Sequence, residues 1–570
     1  MVNPIGLVIQ ESFKKFPENV AIQTESLSWT YRELEKKVAG NIIRLMECGI
    51  IKQSRVIVEM KRSPDSISYI LALIKLGAVF IPVDPGQPEK RRDFICDDSG
   101  ASFRIIKRED GIKISAVRCS SGESSEQSSD DTLSYIIYTS GTTGNPKGVK
   151  ILSRSVHNLM KWMRVRYNFS DQTKVLHKTA LTFDASVWEM LISFYSGGTL
   201  YLADAEKDKI PSYIISTVIK NNIDTIQFAP SMLGKVLAEP AFKDCKSLKN
   251  VFSGGEALTV PLARKFFELS NALLHNLYGP TETTIQVLTH TIEKSDLLSE
   301  IPIGRPIEGI TAYIVTADGT EAAAGETGEL CISGTALASG YVNCDSEEKR
   351  KFVTLDLIPG APFVYRTGDM AFQDNAGKIY FCGRTDDETK INGYRVNLNE
   401  IESLLNSHPA IESSIVISDT TGSSARLKAY LKMCAKSDIS YEAISSLIEK
   451  NFPYYMWPAE YYIISDIPLT AHGKADRKSV SECRGVKKMV PEEVPSAPVN
   501  AHLESAILTI WQDVLNNKNI CSDTDFFSCG GNSIEAMIIA MKLKEQRGFN
   551  ISLEQILHLR SVRNIVNHIQ

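Results

Sequence analysis

Two short stretches of this sequence combine residue types at a spacing that suits them for chemistry. The first, YTSGTTGNPKGV at residues 138–149, surrounds Lys147 with three glycines and a run of hydroxyl side chains. Glycines let backbone N–H groups converge on an anion, hydroxyls add donors, and the lysine adds a mobile positive charge. The stretch predicts a loop that binds a triphosphate, although an ordinary surface turn has a similar composition. It is not a Walker loop, because the spacing of that motif is not met.

The second stretch, SCGGNSIEAM, places Ser533 directly before a series of apolar residues. Ile534, Met537, Ile538 and Met541 recur at helical spacing, so the pattern predicts an amphipathic helix that begins at the serine. Serine is a preferred N-cap residue, because its oxygen accepts a hydrogen bond from an unpaired backbone N–H. The local pattern alone therefore predicts a helix cap.

The composition limits the class of protein. A chain of 570 residues is too long for one hydrophobic core and predicts several domains. The net charge of −5, without basic blocks, argues against nucleic acid and anionic membranes as partners. No uncharged stretch is long enough to span a bilayer, and the N-terminus lacks a signal-peptide pattern. Eleven cysteines without a C-x-x-C pair predict reduced thiols, and hence a cytoplasmic protein.

The elements that must position these stretches change in character along the chain. Up to about Gly383, apolar runs alternate with helical patterns, which predicts parallel sheets covered by helices. Beyond it, a helix around Leu398–Leu405 and the strands ESSIVISD and RLKAYLKM predict a compact α+β unit. The proline-containing segment VPEEVPSAPVN predicts a semi-rigid linker, and the residues after it predict a small helical bundle.

A longer series of motifs follows in order along almost the whole chain. It includes LSWTYREL, FDASVWEM, NLYGPTETT, GELCISGTALASGYVN, YRTGDM, GRTDDETKINGYRVNLNEIE and AHGKADRK, together with the two stretches above. This series resembles the adenylation domain of a nonribosomal peptide synthetase, one of the adenylate-forming enzymes, followed by a peptidyl carrier domain. The resemblance implies a large α/β subdomain with parallel sheets flanked by helices (1–385), a small α+β subdomain (386–484), a linker (485–500) and a four-helix carrier bundle (501–570).

The same resemblance implies attack of a carboxylate on the α-phosphate of ATP, with Mg²⁺, to give an acyl adenylate and pyrophosphate. Alignment and neutralisation of charge are the protein's main contributions to such a reaction. The residues implied in catalysis are Lys474, Thr139, Thr143, Lys147 and Glu282, the last also as the Mg²⁺ ligand. Those implied in ATP binding are Ser140, Thr142, Gly254, Glu256, Ala257, Asn276, Tyr278, Gly279, Thr281, Asp369 and Arg384.

The acid to be activated is predicted from positions aligned on the family motifs. The predicted substrate pocket consists of Asp184, Ala185, Trp188, Gln227, Phe252, Leu277, Ile285 and Gln286. A buried carboxylate needs a cationic partner, so Asp184 indicates a substrate with an amino group. Gln227 offers an amide donor and an acceptor, which favours the side-chain carboxamide of L-glutamine. Asparagine is the nearest rival, and glutamate would bury a carboxylate without a cation.

In a chain of this kind Ser533 would carry a 4′-phosphopantetheine arm, added by a separate phosphopantetheinyl transferase. The arm's thiol would take up the amino acid as a thioester. Asp386 would be the hinge about which the small subdomain rotates after adenylation. The sequence departs from the family pattern beside this hinge, at Glu388, Asn392 and Asn397. A downstream condensation, tailoring or release enzyme is a further expected partner, and some relatives need a small MbtH-like helper protein.

Two alternatives stay open at this point. The chain could be an acyl- or aryl-acid ligase, although Asp184 and the fused carrier argue against it. It could also be a degenerate adenylation scaffold whose carrier is loaded by another protein. Intact Lys474, Asp369 and Glu282 and the phosphate loop argue against that second alternative.

Overall fold

The structure is a computed structural model. It describes residues 3–117, 132–141, 145–343, 350–385, 388–391, 393–419, 425–434, 439–468, 477, 479–480, 486–489, 501–515, 517–527, 529, 531 and 533–569. The chain divides into two compact units. The first comprises residues 1–139 and 146–386, and the second comprises residues 140–145 and 387–570.

Capping residues set the bounds of several helices in the first unit. Its helices are α1 (Pro4–Lys15), α2 (Tyr31–Glu47), α3 (Pro64–Leu76), α4 (Glu89–Asp98), α5 (Ser153–Arg166), α6 (Ala185–Ser196), α7 (Pro211–Asn221), α8 (Pro230–Val236) and α9 (Val260–Leu269). Thr30 and Glu33 form a capping box at the start of α2. Ser63 forms one with Ser66 at the start of α3, which ends at Gly77 in the left-handed conformation.

The strands of the first unit build three sheets. They are β1 (Val20–Gln23), β2 (Ser28–Thr30), β3 (Arg55–Glu59), β4 (Val79–Val83), β5 (Phe103–Arg108), β6 (Gly111–Ala116), β7 (Leu133–Thr139), β8 (Lys147–Leu152), β9 (Lys174–His177), β10 (Thr199–Leu202), β11 (Thr225–Phe228), β12 (Asn250–Gly254), β13 (Leu273–Tyr278), β14 (Leu288–Thr291), β15 (Arg305–Pro306), β16 (Ile310–Val315), β17 (Gly328–Gly334), β18 (Phe352–Thr354), β19 (Phe363–Gln373) and β20 (Ile379–Arg384). The six-stranded sheet has the order β6-β5-β3-β4-β7-β8, and the nine-stranded sheet has the order β15-β14-β13-β12-β11-β9-β10-β1-β2.

The predicted parallel pairing is confirmed at the centres of these two sheets. Strands β3, β4, β5 and β7 are parallel in one, and β1 and β9 to β13 are parallel in the other. Antiparallel strands complete their edges. The third sheet, β16-β17-β19-β18 with β20 on β19, is antiparallel throughout, which the expectation of parallel sheets up to Gly383 did not include. Short connections such as the β19–β20 hairpin leave no room for crossover helices.

The second unit contains an α+β part and a helical part, each with its own hydrophobic core. The α+β part has β21 (Glu388–Ile391), β22 (Tyr394–Asn397), α10 (Leu398–Asn406), β23 (Ile411–Asp419), β24 (Arg426–Met433), α11 (Tyr441–Asn451), β25 (Glu460–Ile463) and β26 (Lys487–Lys488). The helical part has α12 (Ala501–Val514), α13 (Ser533–Arg547), α14 (Leu553–Leu559) and α15 (Val562–Ile569). The predicted helix after residue 397 and the strands 412–419 and 426–433 are confirmed.

Helix α13 begins at Ser533 as predicted, but its buried face is rotated from the predicted stripe. Ile534 is buried, whereas Met537, Ile538 and Met541 are only half-buried. The positions that reach the core of the bundle are instead Ala536, Ile539 and Leu543. The predicted stripe therefore missed the alanine, a small residue that allows close helix packing. No helix in the described part of the chain is both long and apolar enough to cross a membrane.

Candidate active site

The predicted phosphate loop connects two paired strands of the first unit. Strand β7 ends at Thr139 and β8 begins at Lys147, and Tyr138 lies opposite Gly148 in the antiparallel pair. A Cβ atom at Gly148 would lie 2.8 Å from Cζ of Tyr138, which explains the glycine after the lysine. The hydroxyl oxygen of Thr139 is buried and lacks a hydrogen-bond partner within the described ranges, which fits a donor kept for a bound phosphate.

Lys147 and Glu282 meet in a buried group that also contains Tyr341. Lys147 Nζ lies 3.8 Å from Glu282 Oε1, and the two side chains are 4% and 0% exposed. The Tyr341 hydroxyl donates to the same carboxylate oxygen at 2.8 Å, and Lys147 Nζ lies 5.1 Å from the centroid of the Tyr341 ring. A carboxylate that is held beside a lysine at this depth suits a site that neutralises phosphate charge together with a cation.

A second group forms around Asp369 at the pairing of β19 with β20. Arg384 lies opposite Asp369 in this pair, and its NH1 donates to Asp369 Oδ1 at 2.5 Å. The Tyr278 hydroxyl donates to the other carboxylate oxygen, Oδ2. Burial raises the pKa of Tyr278 well above its usual value, and the charge of Asp369 raises it further. Thr367 completes the group, because its hydroxyl accepts from the Asp369 N–H at 3.0 Å.

The turn after Tyr278 contains two residues with positive φ angles. Thr284 and Ile285 have φ angles of 58° and 72°, which β-branched residues rarely adopt. The Thr284 hydroxyl donates to the carbonyl of Ala336 at 2.7 Å, which helps to hold the turn. Gly279 packs against it so closely that a Cβ atom there would lie 2.5 Å from Gln286 Cα. Thr281 and Glu282 lie in the 3₁₀ helix Thr281–Thr283, between Gly279 and this strained pair.

Two residues of the predicted substrate pocket, Gln227 and Phe252, lie on neighbouring parallel strands. Gln227 on β11, Phe252 on β12 and His275 on β13 form one row across the sheet. The Phe252 ring stacks on His275 with centroids 4.8 Å apart and meets the edge of Trp188 at 5.1 Å. Leu277 and Ile285 belong to the same hydrophobic cluster as Phe252, and Ala185 packs against it.

Two carboxamides among the predicted pocket residues form hydrogen bonds with neighbouring side chains. Trp188 Nε1 donates to Gln227 Oε1. Gln286 Nε2 donates to the Met163 sulfur at 3.2 Å, and the Gln286 side chain is buried. The contact with Trp188 therefore uses one acceptor site of the Gln227 oxygen, and the contact with Met163 uses one N–H of Gln286. That Gln227 provides both a donor and an acceptor to the substrate stays a prediction, because an amide oxygen can accept two hydrogen bonds.

Asp184 lies at the N-terminal end of α6, directly before Ala185. Its charge acts on Tyr135, whose pKa is raised well above the usual value by burial and, to a smaller extent, by this carboxylate. The first turn of α6 therefore places the one acidic residue of the predicted pocket beside a buried phenol. The Asp184 side chain is half-buried, whereas the sequence predicted a buried carboxylate.

Two further predicted ATP-binding side chains, those of Glu256 and Asn276, also have protein partners. Glu256 accepts from the N–H and the hydroxyl of Ser231 at 2.9 and 3.0 Å. Asn276 donates to the carbonyl of Pro302 at 2.9 Å and is buried. Their side chains thus brace the strand ends. Gly254 lies close to β13, where a Cβ atom would come within 3.0 Å of the Leu277 carbonyl, and Ala257 is exposed.

Several predicted residues lie outside the described part of the chain or belong to the second unit. Thr142, Thr143, Asp386, Asn392 and Lys474 lie outside the described residues, as does the side chain of Ser533. Ser140 groups with the second unit, where its hydroxyl donates to the carbonyl of Arg395 at 3.0 Å.

Two departures from the family pattern have structural partners in the second unit. Glu388 accepts from Arg395 Nε at 2.9 Å across the β21–β22 hairpin. Asn397 caps α10 by accepting from the N–H of Asn399. Both residues therefore stabilise the elements that follow the predicted hinge.

Sequence reasoning missed Tyr341, His275 and Tyr167 as members of these groups. Tyr341 stands in GELCISGTALASGYVN, so its motif was recognised while its contact with Glu282 required the fold. His275 and Tyr167 pack on Phe252, the latter edge to face at 4.8 Å. Only the adjacency of β12 and β13, and of α5 to them, brings these rings together.

Family models match three parts of the chain. Residues 9–342 match the AMP-binding enzyme family, residues 400–474 match the AMP-binding enzyme C-terminal domain, and residues 505–569 match the phosphopantetheine attachment site. The fold and these matches define an adenylate-forming enzyme joined to a carrier domain. The chain belongs to the AMP-binding enzymes. Its two kinds of domain imply ATP, typically with Mg²⁺, and a phosphopantetheine arm as cofactors.

Similar curated proteins are long synthetases. The chain is 34% identical to tyrocidine synthase 3 of Brevibacillus parabrevis, 32% identical to gramicidin S synthase 2 of Aneurinibacillus migulanus and 31% identical to bacitracin synthase 1 of Bacillus licheniformis. These matches cover 96%, 99% and 98% of the chain, but only 8%, 13% and 11% of the respective relatives. The chain thus spans less than a fifth of each of these three proteins.

Solved structures share the fold. One is holo-PA1221, an NRPS protein containing adenylation and PCP domains, with 24% identity, a TM-score of 0.78 and coverage of 99% of this chain and 96% of that one. Another is holo-AB3403, a four-domain nonribosomal peptide synthetase bound to AMP and glycine, with 27% identity, a TM-score of 0.61 and coverage of 99% and 42%. An o-succinylbenzoate CoA synthetase from Bacillus subtilis, with 20% identity, has a TM-score of 0.75 over 85% of this chain and 99% of that one.

Proposed function

We propose that this chain activates L-glutamine with ATP and loads it onto its own carrier domain, as one step in the assembly of a nonribosomal peptide or a related product. A carboxylate oxygen of the amino acid attacks the α-phosphorus of ATP, and the bond to the departing pyrophosphate breaks. The phosphopantetheine arm on Ser533 supplies the thiol that accepts the activated acyl group. The observation that carries the choice of substrate is the paired orientation of Gln227 and Gln286.

The amino group of the substrate is assigned to Asp184. Asp184 lies half-buried at the N-terminal end of α6, where its charge acts on the buried Tyr135. A substrate ammonium supplies the opposite charge, whereas a plain acyl or aryl acid does not. This is the main argument against the acyl- or aryl-acid ligase, since the fold alone is shared with a CoA synthetase.

The side-chain carboxamide is assigned to the two oriented glutamines. Gln227 presents N–H donors, while its oxygen accepts from Trp188, and Gln286 presents an oxygen, while its N–H₂ group donates to Met163. A carboxamide has one acceptor and one donor group and so complements both residues. A glutamate carboxylate would face the Gln286 oxygen without a donor between them, and its burial without a cation is costly.

The nucleotide is assigned to the two charged groups of the first unit. Asp369, braced by Arg384, would accept hydrogen bonds from the ribose hydroxyls, and Tyr278 would stack on adenine. The buried Lys147 and Glu282 would contribute to the phosphate and Mg²⁺ site, with Thr139 as a further donor. Ser140, Thr142, Thr143, Gly254, Glu256, Ala257, Asn276, Gly279 and Thr281 complete the proposed nucleotide site, and Lys474 is the proposed catalytic lysine.

The proposal extends to partners and organisation. A phosphopantetheinyl transferase attaches the arm, and a downstream condensation, tailoring or release enzyme takes up the loaded amino acid. An MbtH-like protein is a candidate helper. We place the large subdomain at 1–385, the small subdomain at 386–484 with its hinge at Asp386, and the carrier at 501–570, in a protein of the cytoplasm.

ATP–pyrophosphate exchange with the purified chain tests the proposal, run with and without an MbtH-like helper. We expect exchange with glutamine to exceed that with asparagine at least about tenfold, since one methylene group discriminates by about 10- to 200-fold. Gln227→Leu should lower glutamine activation by about 10- to 100-fold, because an unpaired buried carboxamide costs about 1–3 kcal/mol. If exchange were fastest with an amino acid other than glutamine, the assignment of the substrate pocket would be overturned. Exchange with an aryl or acyl acid alone would favour the ligase alternative, and no exchange at all would favour the scaffold.

A further inference from the structure

The helical carrier (501–569) packs on the α+β small subdomain (388–489) through side chains that have no part in the proposed chemistry. Tyr454 and Trp457 of the small subdomain pack against the hydrophobic core of the carrier. Nearby, His558 Nδ1 of the carrier lies 2.8 Å from Glu449 Oε2 of the small subdomain. Two arginines, one from the carrier and one from the small subdomain, each form a hydrogen bond with the other part.

The first arginine, Arg560, reaches from the end of α14 into the small subdomain. Its NH2 donates to the carbonyl of Ala459 at 3.0 Å, and its Nε donates to Asp525 Oδ2 within the carrier at 2.6 Å. Its guanidinium carbon lies 5.0 Å from the ring centroid of Tyr441 and 4.5 Å from that of Phe527. A planar cation between two rings, with hydrogen bonds at its edge, is an arrangement that arginine makes and lysine does not.

Arg560 is buried, and burial lowers its pKa to about 9. It also has a positive φ of 59°, uncommon for a residue with a long side chain. Both features carry a cost that a surface arginine would not have. The contacts with Ala459 and Tyr441 offset part of this cost only while the carrier is docked on the small subdomain.

The second arginine, Arg426, reaches from the small subdomain to the carrier. Its NH1 donates to the carbonyl of Phe527 at 2.7 Å. Phe527 is therefore held by its ring through Arg560 and by its carbonyl through Arg426. We call this group of five residues the Phe527 clasp; it consists of Arg426, Tyr441, Ala459, Phe527 and Arg560.

The clasp holds the segment that leads to the attachment helix. The neighbouring Phe526 is fully buried, with its ring 5.1 Å from that of Trp511. Its carbonyl accepts from the Gly531 N–H at 2.9 Å, and a Cβ atom at Gly531 would lie 2.5 Å from the Phe526 ring. Gly531, two residues before the start of α13 at Ser533, thus packs closely on the residue beside the clasp.

We infer that the face of the small subdomain formed by Arg426, Tyr441 and Ala459 is a docking site for the chain's own carrier, and that the Phe527 clasp makes the two move as one body. A motion of the small subdomain would then carry the attachment helix with it. The inference rests on the assignment of the carrier domain and is independent of the amino acid that is activated.

Hydrogen exchange of the full-length chain, without ATP or amino acid, tests the inference. Arg426→Gln removes a charge-assisted hydrogen bond from the small-subdomain side and leaves the carrier sequence intact. We expect amides of the carrier segment 521–527 to exchange at least about tenfold faster in this variant, together with those of 441–460. Arg560→Gln should accelerate the same two segments. Arg563→Gln is the matched control, because Arg563 pairs with Asp523 and Glu504 inside the carrier; it should leave 441–460 unchanged.

Attachment of the phosphopantetheine arm to each variant shows that its carrier is folded. If the Arg560→Gln substitution unfolds the carrier, the exchange rates of the Arg426→Gln variant alone test the inference. Unchanged exchange of 521–527 in Arg426→Gln would overturn the inference, whatever the outcome of the exchange assays with amino acids. Faster exchange of 441–460 in the Arg563→Gln control would also overturn it, since the effect would then not depend on the clasp.

Discussion

At the scale of single residues, the proposed preference of the pocket for glutamine depends on the orientation of its side-chain amides. The sequence predicts Gln227, Trp188 and Gln286 as pocket positions, but only the fold pairs Gln227 with Trp188 and Gln286 with Met163. An amide in sequence is both donor and acceptor, and its neighbours decide which of the two a ligand meets. This is why residue types could be predicted and their roles could not.

Trp188→Phe tests this orientation. The substitution keeps an aromatic ring beside Phe252 and removes the indole N–H that fixes the Gln227 oxygen. We expect the ratio of kcat/KM for glutamine over glutamate to fall by about 3- to 10-fold, the worth of one neutral hydrogen bond. Phe252→Leu is the control, because it alters packing but leaves that hydrogen bond in place. A ratio that is unchanged in Trp188→Phe would contradict the proposed role of Gln227.

Tyr341 provides a second test at this scale, because it touches both Lys147 and Glu282. Tyr341→Phe removes the hydrogen bond to the carboxylate and keeps the ring beside the ammonium. We expect adenylation to fall by about 3- to 10-fold in Tyr341→Phe, and further in Tyr341→Leu, which also loses the cation–π contact of about 0.5–2 kcal/mol. The measurement is the KM for MgATP in pyrophosphate exchange. Equal values in both variants and the wild type would exclude Tyr341 from the site.

At the scale of elements, the sequence predicts well where local rules decide and less well where packing decides. Capping boxes and the C-terminal glycine mark α2 and α3, and short apolar runs mark β23 and β24. The antiparallel third sheet and the rotated face of α13 were not predicted, because connection geometry and a small residue such as Ala536 decide them. The strained pair Thr284 and Ile285 has no local signal, since it is held from outside by Ala336 and Gly279.

Gly279→Ala tests the turn that carries this strained pair. The added Cβ atom would lie 2.5 Å from Gln286 Cα and from the Ile285 carbonyl oxygen, so the turn must shift. We expect the free energy of unfolding to fall by about 1–3 kcal/mol. We expect the rate of adenylation to fall by more than this loss of stability alone explains, because the turn positions Glu282 and Ile285. Gly40→Ala on α2, where a Cβ atom meets nothing within 4 Å, should be neutral or stabilising. Equal effects of the two substitutions on adenylation would contradict the packing argument.

At the scale of the whole molecule, buried histidines couple stability to pH. Burial lowers the pKa of His275 from 6.5 to about 3. Above pH 6.5 the ring is neutral in the folded and the unfolded chain. Between pH 6.5 and about 3 the unfolded chain binds a proton that the folded chain does not, so stability falls as the pH falls, by up to about 1.4 kcal/mol per pH unit.

His275→Gln should remove this contribution while keeping hydrogen-bonding capacity toward Asn250 and Thr291. We expect the melting temperature of the first unit to drop less between pH 7 and pH 5 in the variant than in the wild type. A second histidine, His177, is buried with a lowered pKa as well, so part of the dependence should persist. Identical pH profiles would show that His275 titrates normally in the folded chain.

At this scale, the two units contain different parts of the proposed adenylation and loading chemistry. The first unit contains most residues of the predicted nucleotide and amino-acid sites, and the second contains residues 140–145 of the phosphate loop, the predicted catalytic Lys474 and Ser533. The collinear motifs predict the order of the domains, but not that the phosphate-loop motif 138–149 is divided between the two units. The Phe527 clasp was not, since Arg426 and Arg560 lie far apart in sequence.

The measurement that tests this claim most directly is the mass of the intact chain after treatment with a phosphopantetheinyl transferase, coenzyme A, ATP, Mg²⁺ and a mixture of amino acids, with and without an MbtH-like helper. We predict the addition of one phosphopantetheine arm and one glutamine, and the loss of both additions in Ser533→Ala. An arm without any amino acid under both conditions would contradict self-loading, and an amino acid retained by Ser533→Ala would contradict the assignment of the attachment site.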